Sequence, residues 1–174
     1  IGGTTGFGLG KFNLKKILKD PSELTDYFDE NNYYYEEYLV QELIVGFAKY
    51  GELKTFWIDG VFAYGVNILE TDNSYKVEEL IDSKVLGKCI GIGDKVVKVI
   101  PKINYNGKKV LPAMIRIDFT CCQNNKKQSP NNYYVNEIES DIAGTYINFK
   151  NVKYPILEVM AHTYVKKINE LGIK

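Results

Sequence analysis

The chain has 174 residues, enough for one domain with a sizeable core or for two small lobes. It carries 22 basic and 22 acidic residues, and the resulting net charge of zero argues against bulk electrostatic binding to nucleic acid or to a membrane. No apolar run is long enough for a membrane span, and Cys89, Cys121 and Cys122 lack metal-type spacing, which together predict a reducing, cytoplasmic setting.

The chain opens with IGGTTGFGLG, in which five of the first ten residues are glycine. Glycine lets backbone N–H groups approach an anion, and Thr4 and Thr5 add hydroxyl donors. A loop that covers phosphate and a flexible turn both fit this stretch, which is neither a Walker A loop nor a dinucleotide fingerprint. Because the sequence has no initiating methionine, we expect a further portion upstream of Ile1.

Short elements are predicted next. NLKKILK (Asn13 to Lys19) starts a helical pattern, and Ser22 can cap a second short helix that ends at Asn31-Asn32. The apolar run from Tyr38 to Val45 predicts a buried strand. Asp59-Gly60 lies between two apolar runs and predicts a β-hairpin.

The second half of the chain begins with a predicted helix over about Val85 to Ile103, in which Gly91 and Gly93 lower the helix propensity. Asn106-Gly107 predicts a turn. A final helix is predicted from Pro155 to about Leu171, because proline is favoured in the first helical turn.

Two strands with charged residues at alternate positions lie between these helices. Arg116 and Asp118 occur in MIRIDFTCC, and Glu137 and Glu139 occur in YYVNEIES. Residues two apart on a strand share a face, so a hairpin closed by the loop Gln123 to Asn132 would bring the four charges together. A divalent cation that holds phosphate oxygens would neutralise them, and the alternative is a chance ion pair between Arg116 and Asp118.

The order of these features resembles the ATP-grasp family. The resemblance rests on the Gly-rich loop, an apolar strand that ends in Gln-Glu, a hairpin with GEL, and the motifs RxD and NExE. It implies an α+β fold, with a mostly antiparallel sheet flanked by helices, in a fragment that lacks the upstream domain. Residues 1–45 would then be the remainder of a small ATP-binding subdomain, and residues 46–174 the C-terminal catalytic subdomain.

The resemblance also implies roles for individual residues. Arg116 would hold phosphate, Lys54 would face substrate or phosphate, and Glu52 would lie near the ribose of ATP. The residues implied to bind the rest of the nucleotide are Gly2, Gly3, Thr4, Thr5, Gly6, Gln41, Glu42, Leu43 and Ile44. The implied cofactors are ATP and Mg²⁺, for which Mn²⁺ could substitute, with the metal ligands Asp118, Glu137 and Glu139.

The implied activity is that of a Mg-ATP-dependent ligase. It would join a small-molecule or peptide carboxylate to an amine or a thiol through an acyl-phosphate intermediate. A small-molecule kinase of the same fold, a non-catalytic nucleotide-binding module and a plain β-hairpin with surface ion pairs stay open as alternatives. The lysine that relatives place before the Gly-rich loop is absent, so we expect this chain alone to bind ATP weakly and not to turn over. His162, the only histidine, is predicted to be structural.

Overall fold

The computed structural model describes residues 10–41, 44, 46, 50–71, 74–121, 133–140 and 144–173. Its helices include α1 (Leu14–Ile17), α2 (Ser22–Asn31), α3 (Ser83–Val99) and α4 (Ile156–Leu171). Its strands are β1 (Glu52–Ile58), β2 (Val61–Thr71), β3 (Ser74–Glu79), β4 (Ile103–Tyr105), β5 (Lys108–Val110), β6 (Met114–Cys121) and β7 (Tyr133–Glu139).

Five of the strands form one sheet, in the order β3-β2-β1-β6-β7. Each neighbouring pair of strands in it is antiparallel. The strands β4 and β5 form a separate two-stranded sheet. The predicted α+β fold, with a mostly antiparallel sheet flanked by helices, is therefore confirmed.

Both predicted turns join antiparallel strands. Asp59 and Gly60, with φ of 51° and 81°, connect β1 to β2, whose residues Ile58 and Val61 are paired. Asn106 and Gly107, with φ of 49° and 77°, connect β4 to β5 in the same way. Positive φ at both central residues matches the right-handed twist of the flanking strands, and Asx-Gly tolerates this conformation best.

One face of the sheet is apolar and is covered by α3. Its buried side chains come from alternate residues of β1 and β6 and pack with residues of the helix, namely Leu53, Trp57, Ile115, Ile117, Phe119, Cys89 and Val97. A Cβ atom at Gly93 would collide with the indole ring of Trp57. Gly93 therefore lowers the propensity of α3 but lets the helix approach the sheet closely, which confirms the predicted helix despite its glycines.

The opposite face is apolar only in part. Phe56, Ile58, Tyr64, Val66 and Met114 pack there with Ile156 and Met160 of α4. The helix ends at Gly172, whose φ of 70° allows the left-handed C-terminal cap. The same face carries the charged residues of β1, β6 and β7.

Two local predictions are wrong. Residues 38–41 and 44 are not in a strand, and Leu39 and Val40 are 89% and 87% exposed. A short apolar run does not by itself provide the neighbouring strand whose hydrogen bonds a strand needs. Ser22 is the first residue of α2 rather than its cap, because the Asp20 carboxylate accepts the hydrogen bond of the Ser22 backbone N–H.

The chain divides into two units, Ile1–Leu43 and Ile44–Lys174. The first unit contains α1, α2 and a group of aromatic rings that contact one another, among them Phe12, Tyr27, Phe28 and Tyr38. The second unit contains both sheets, α3 and α4. Among the described residues, no helix has the length and apolar character needed to cross a membrane.

Candidate functional site

The strand β6 places two charged side chains in the interior. Ile115, Ile117 and Phe119 point to the face covered by α3, so the alternation of the strand turns Arg116 and Asp118 to the other face. Arg116 is only 7% exposed and Asp118 is fully buried. Buried charges are costly unless they are paired, so their neighbours decide what this site can do.

The pairing of the strands supplies those neighbours. Asp118 is opposite Lys54 of β1 on one side and opposite Glu137 of β7 on the other. In the adjacent row, Arg116 is opposite Glu139. The predicted hairpin of two charged strands is therefore confirmed, although its predicted loop, Gln123 to Asn132, lies outside the described residues.

Asp118 is held by two cations at once. Its Oδ2 atom lies 2.5 Å from the Lys54 ammonium, which donates to it. Arg116 donates from Nε to Oδ1 at 2.8 Å and from Nη2 to Oδ2 at 2.9 Å, a two-pronged contact that uses the planar guanidinium. The lone arginine of the sequence thus lies where a lysine could not make the same contact.

Arg116 also contacts both glutamates of β7. Its Nη2 lies 3.2 Å from Glu137 Oε2 and its Nη1 lies 2.5 Å from Glu139 Oε2. The contact with Glu139 is an ion pair without hydrogen-bond alignment, so the buried Oε2 atom keeps an unused acceptor. One guanidinium therefore touches the three carboxylates that the sequence predicts as metal ligands.

Glu52 extends the cluster along β1. Its Oε2 lies 2.6 Å from the Lys54 ammonium, and its Oε1 accepts a hydrogen bond of 3.1 Å from the side-chain amide of Asn136. Asn136 reaches this face because the pairing of β6 with β7 is shifted by a bulge next to Asp118. Sequence reasoning missed Asn136, since strict alternation would have turned it to the opposite face.

The electrostatics of the cluster follow from this pairing. Burial would lower the pKa of Lys54, but Asp118 and Glu52 outweigh burial and raise it. Burial would likewise lower the pKa of Arg116, and its hydrogen bonds to Asp118 and the charges of Asp118 and Glu139 raise it. Both side chains are therefore cationic at neutral pH.

Glu137 behaves differently from these cations. Its pKa is raised by partial burial and by the charge of Asp118, while Arg116 only partly offsets these effects. The four carboxylates of the cluster face two cations, which leaves an excess of two negative charges. Glu137 is the carboxylate of the cluster whose pKa is raised, and its side chain is the most exposed of the four.

The donor set can be compared with the needs of Mg²⁺. Carboxylate oxygens are the ligands that Mg²⁺ prefers, the excess charge equals that of one divalent ion, and Glu139 offers a buried oxygen with unused acceptor capacity. In the arrangement described, however, no group of three or more His, Cys, Asp or Glu side chains is set up to hold a metal ion. The residue types fit the ion, and Arg116 engages their oxygens instead.

The remaining predicted site residues are less defined. Gly2, Gly3, Thr4, Thr5 and Gly6, together with Glu42 and Leu43, lie outside the described residues. Gln41 is exposed and Ile44 is half-buried. His162 lies on α4 with Nδ1 3.0 Å from the backbone oxygen of Glu158, a contact within the helix.

Known proteins were compared with this chain. No family model and no curated protein matches its sequence. Among solved structures, D-alanine–D-alanine ligase from Bacillus anthracis complexed with ATP is similar over 93% of this chain and 59% of that one, at 13% identity and a TM-score of 0.49.

Two further solved structures are similar. D-cycloserine synthetase DcsG matches 74% of this chain and 41% of its own, at 12% identity and a TM-score of 0.47. The ATP-grasp ligase PsnB, complexed with a minimal precursor, matches 71% and 37%, at 18% identity and a TM-score of 0.42. This chain spans between 37% and 60% of the length of such structures.

Proposed function

We propose that this chain is the C-terminal portion of an ATP-grasp domain and that it acts in a Mg-ATP-dependent ligase. The reaction would join a carboxylate to an amine or a thiol through an acyl phosphate. The observation that carries the proposal is the row Lys54–Asp118–Glu137 beside Arg116, a cluster of buried and half-buried charges on one face of a rigid sheet. Such clusters of opposed charges are typical of sites that handle phosphate and metal.

In this proposal the carboxylates hold the metal. Asp118 and Glu137 would be Mg²⁺ ligands, with Glu137 shared between two ions and Glu139 as the third ligand. When bound, Mg²⁺ supplies charge neutralisation to the transferred phosphoryl group. The excess of negative charge in the cluster supports this assignment, because a divalent ion would offset the charge of Asp118, which together with burial raises the pKa of Glu137.

The two cations serve the phosphate. Arg116 presents a planar fork suited to phosphoryl oxygens, and Lys54 presents a compact ammonium. Both side chains donate to the carboxylate of Asp118. Both groups stay protonated at neutral pH, since their carboxylate partners raise their pKa values. They would bind and orient the phosphate without acting as proton donors or acceptors.

The other parts of the proposal rest on the sequence motifs. The Gly-rich residues Gly2 to Gly6 would cover the phosphates of ATP, Gln41 to Ile44 would contact the adenine, and Glu52 would lie near the ribose. The co-substrates would be a small-molecule or peptide carboxylate and an amine acceptor. Net charge of zero gives no reason to add nucleic acid as a partner. A cytoplasmic location is the inference drawn from the spacing of the cysteines.

A second candidate is a non-catalytic nucleotide-binding module. One observation favours it: Arg116 contacts all three predicted metal ligands, so their carboxylates have a cationic partner without an added ion. In that case Arg116 and Asp118 would hold β1, β6 and β7 together. Nucleotide binding, if it occurred, would not depend on Glu137.

A thermal-shift experiment separates the two candidates. We expect saturating Mg-ATP to raise the melting temperature by about 2–4 °C, and ATP with a chelator to raise it less. Glu137→Gln should remove the rise, whereas Glu78→Gln, the same change at an exposed strand carboxylate, should keep it. A rise that survives Glu137→Gln favours the non-catalytic module, and no rise in the unmodified chain contradicts both candidates.

A trapping assay then tests the ligase reaction. An acyl phosphate reacts with hydroxylamine to give a hydroxamate, so the full-length protein can be incubated with Mg-ATP, hydroxylamine and a panel of amino acids, short peptides and dicarboxylates. Release of ADP together with a hydroxamate supports the ligase. Release of ADP together with a phosphorylated alcohol, and without a hydroxamate, would instead indicate a kinase.

A further inference from the structure

Tyr146 has an unusual backbone conformation. Among the described residues, three that are not glycine have positive φ: Asp59, Asn106 and Tyr146. Asp59 and Asn106 lie in two-residue hairpin turns and are of the residue types that tolerate this region. Tyr146, with φ of 58°, lies in no hairpin and carries a bulky side chain, for which this conformation is strained.

A set of stacked aromatic rings holds this segment in place. The hydroxyl of Tyr64 donates a hydrogen bond of 2.7 Å to the backbone oxygen of Thr145, the residue before Tyr146. The Tyr64 ring is itself fixed between Phe56, at 4.3 Å between centroids, and Tyr154, at 4.9 Å. The residue before Tyr146 is thus fastened to the sheet, and Tyr146 itself has the left-handed conformation that is strained for its residue type.

The segment brings the Tyr146 side chain to the charged cluster. Its ring meets the edge of Phe56, with 6.4 Å between centroids and an angle of 67°. Phe56 is the strand partner of Arg116, so Tyr146 borders the guanidinium side of the cluster. The charges of Lys54 and Arg116 both act on its half-buried phenol.

The phenol of Tyr146 is a neutral hydrogen-bond donor near the charged cluster. Burial, the first effect on it, raises its pKa, and Asp118 and Glu52 raise it further against the opposing cations, so the hydroxyl keeps its proton at neutral pH. A neutral O–H group beside two cations can donate to an oxyanion that those cations bind. Strained backbone at a bulky residue is found most often at functional sites, and here it occurs together with ring contacts to Phe56 and Phe149.

We propose that Tyr146 donates a hydrogen bond to the phosphoryl group transferred from ATP, on the side of the site lined by Arg116 and Phe56. This inference rests on the proposed function, because it assigns a further residue to the same phosphate site. It makes Tyr146 a residue that distinguishes the group in transfer from the phosphates of bound nucleotide. It also accounts for the strained conformation at a residue that no sequence motif marks.

Calorimetric titration of Mg-ADP, with and without aluminium fluoride, tests the inference. The fluoride complex mimics the phosphoryl group in transfer and should tighten the binding of Mg-ADP to the unmodified chain. Tyr146→Phe keeps the ring contacts and removes the hydroxyl. We expect it to weaken binding about tenfold or more in the presence of aluminium fluoride, and to leave binding of Mg-ADP alone unchanged.

Two further variants serve as controls. Tyr154→Phe makes the same change in the same set of stacked rings and should bind like the unmodified chain in both titrations. Tyr146→Asn removes the ring while tolerating positive φ, and should lose the tightening by aluminium fluoride without unfolding.

The possible results are distinguishable. Equal tightening by aluminium fluoride in Tyr146→Phe and in the unmodified chain overturns the inference and leaves the proposed function standing. Absence of tightening in the unmodified chain, when Mg-ADP itself binds, also overturns the inference. Absence of any Mg-ADP binding overturns the proposed function and the inference with it.

Discussion

The two faces of the central sheet are built from the same strands and differ in how their side chains are held. On the face covered by α3, Trp57, Ile117 and Phe119 are fully buried and pack against apolar neighbours. On the opposite face, Lys54, Arg116 and Asp118 are buried to a similar extent, and each depends on the charge of another.

The two faces of the sheet differ in how specific the contacts of their side chains must be. Apolar packing is non-directional, so the first face loses stability in proportion to the volume that is removed. The charged face satisfies its groups one by one, so removal of Asp118 takes away the carboxylate that Lys54 and Arg116 both contact. A face of the second kind is poor at stabilising a fold and well suited to binding a charged ligand.

The largest effect is expected on the apolar face. Trp57→Ala should lower the free energy of unfolding by about 3–5 kcal/mol, because it leaves a cavity under Gly93 of α3 and removes the hydrogen bond from the indole to Thr55. Chemical denaturation measures this change. Tyr134→Ala, at an exposed position of β7, should change stability by less than about 0.5 kcal/mol. Equal effects of the two substitutions would contradict the division of the sheet into these faces.

A comparable but recoverable loss is expected on the charged face. Asp118→Ala should lower stability by about 3 kcal/mol, since Lys54 and Arg116 lose their shared partner. Adding Lys54→Met should restore about 1 kcal/mol or more, because it removes a buried cation that has lost its hydrogen bond to Asp118 and keeps its ion pair with Glu52. Denaturation of the single and double variants measures the coupling. A double variant that is less stable than Asp118→Ala would show that Lys54 does not depend on this carboxylate.

The smallest effect concerns Glu137 and depends on pH. Its raised pKa means that the folded protein binds this proton more tightly than the unfolded chain does. The resulting stability is fully present below the unfolded value of about 4.3 and is lost as the pH rises through the folded pKa. Without bound ligand, Glu137→Gln should therefore be more stable than the unmodified chain at neutral pH.

The side chain of Glu137 is 52% exposed, so solvent screening should keep this gain to about 1 kcal/mol or less. Melting temperatures measured from pH 4 to pH 8 should show the two proteins diverging as the pH rises. A difference that shrinks with rising pH would mean that the contact with Arg116 outweighs the repulsion. If Glu137→Gln is more stable than the unmodified chain without ligand and also loses the rise in melting temperature with Mg-ATP, Glu137 serves ligand binding at a cost in stability.

Much of the local structure could be predicted from short-range signals. Asp59-Gly60 and Asn106-Gly107 indicated their turns because few other residue pairs adopt positive φ. The alternation in MIRIDFTCC separated Arg116 and Asp118 from the apolar face, because a strand has a period of two. The apolar run from Tyr38 failed as a predictor, since a strand also needs a partner that no local pattern can provide.

The sequence by itself determined which charges share a face, and the tertiary structure decided how they pair. Lys54 lies 64 residues from Asp118 along the chain, and only the pairing of β1 with β6 brings them together. The bulge that turns Asn136 toward Glu52, and the hydrogen bond that fastens the residue before Tyr146 to the sheet, arise from packing between strands and loops. Periodicity is a property of neighbouring residues, whereas charge balance and backbone strain depend on contacts between distant segments, which exist only in the folded chain.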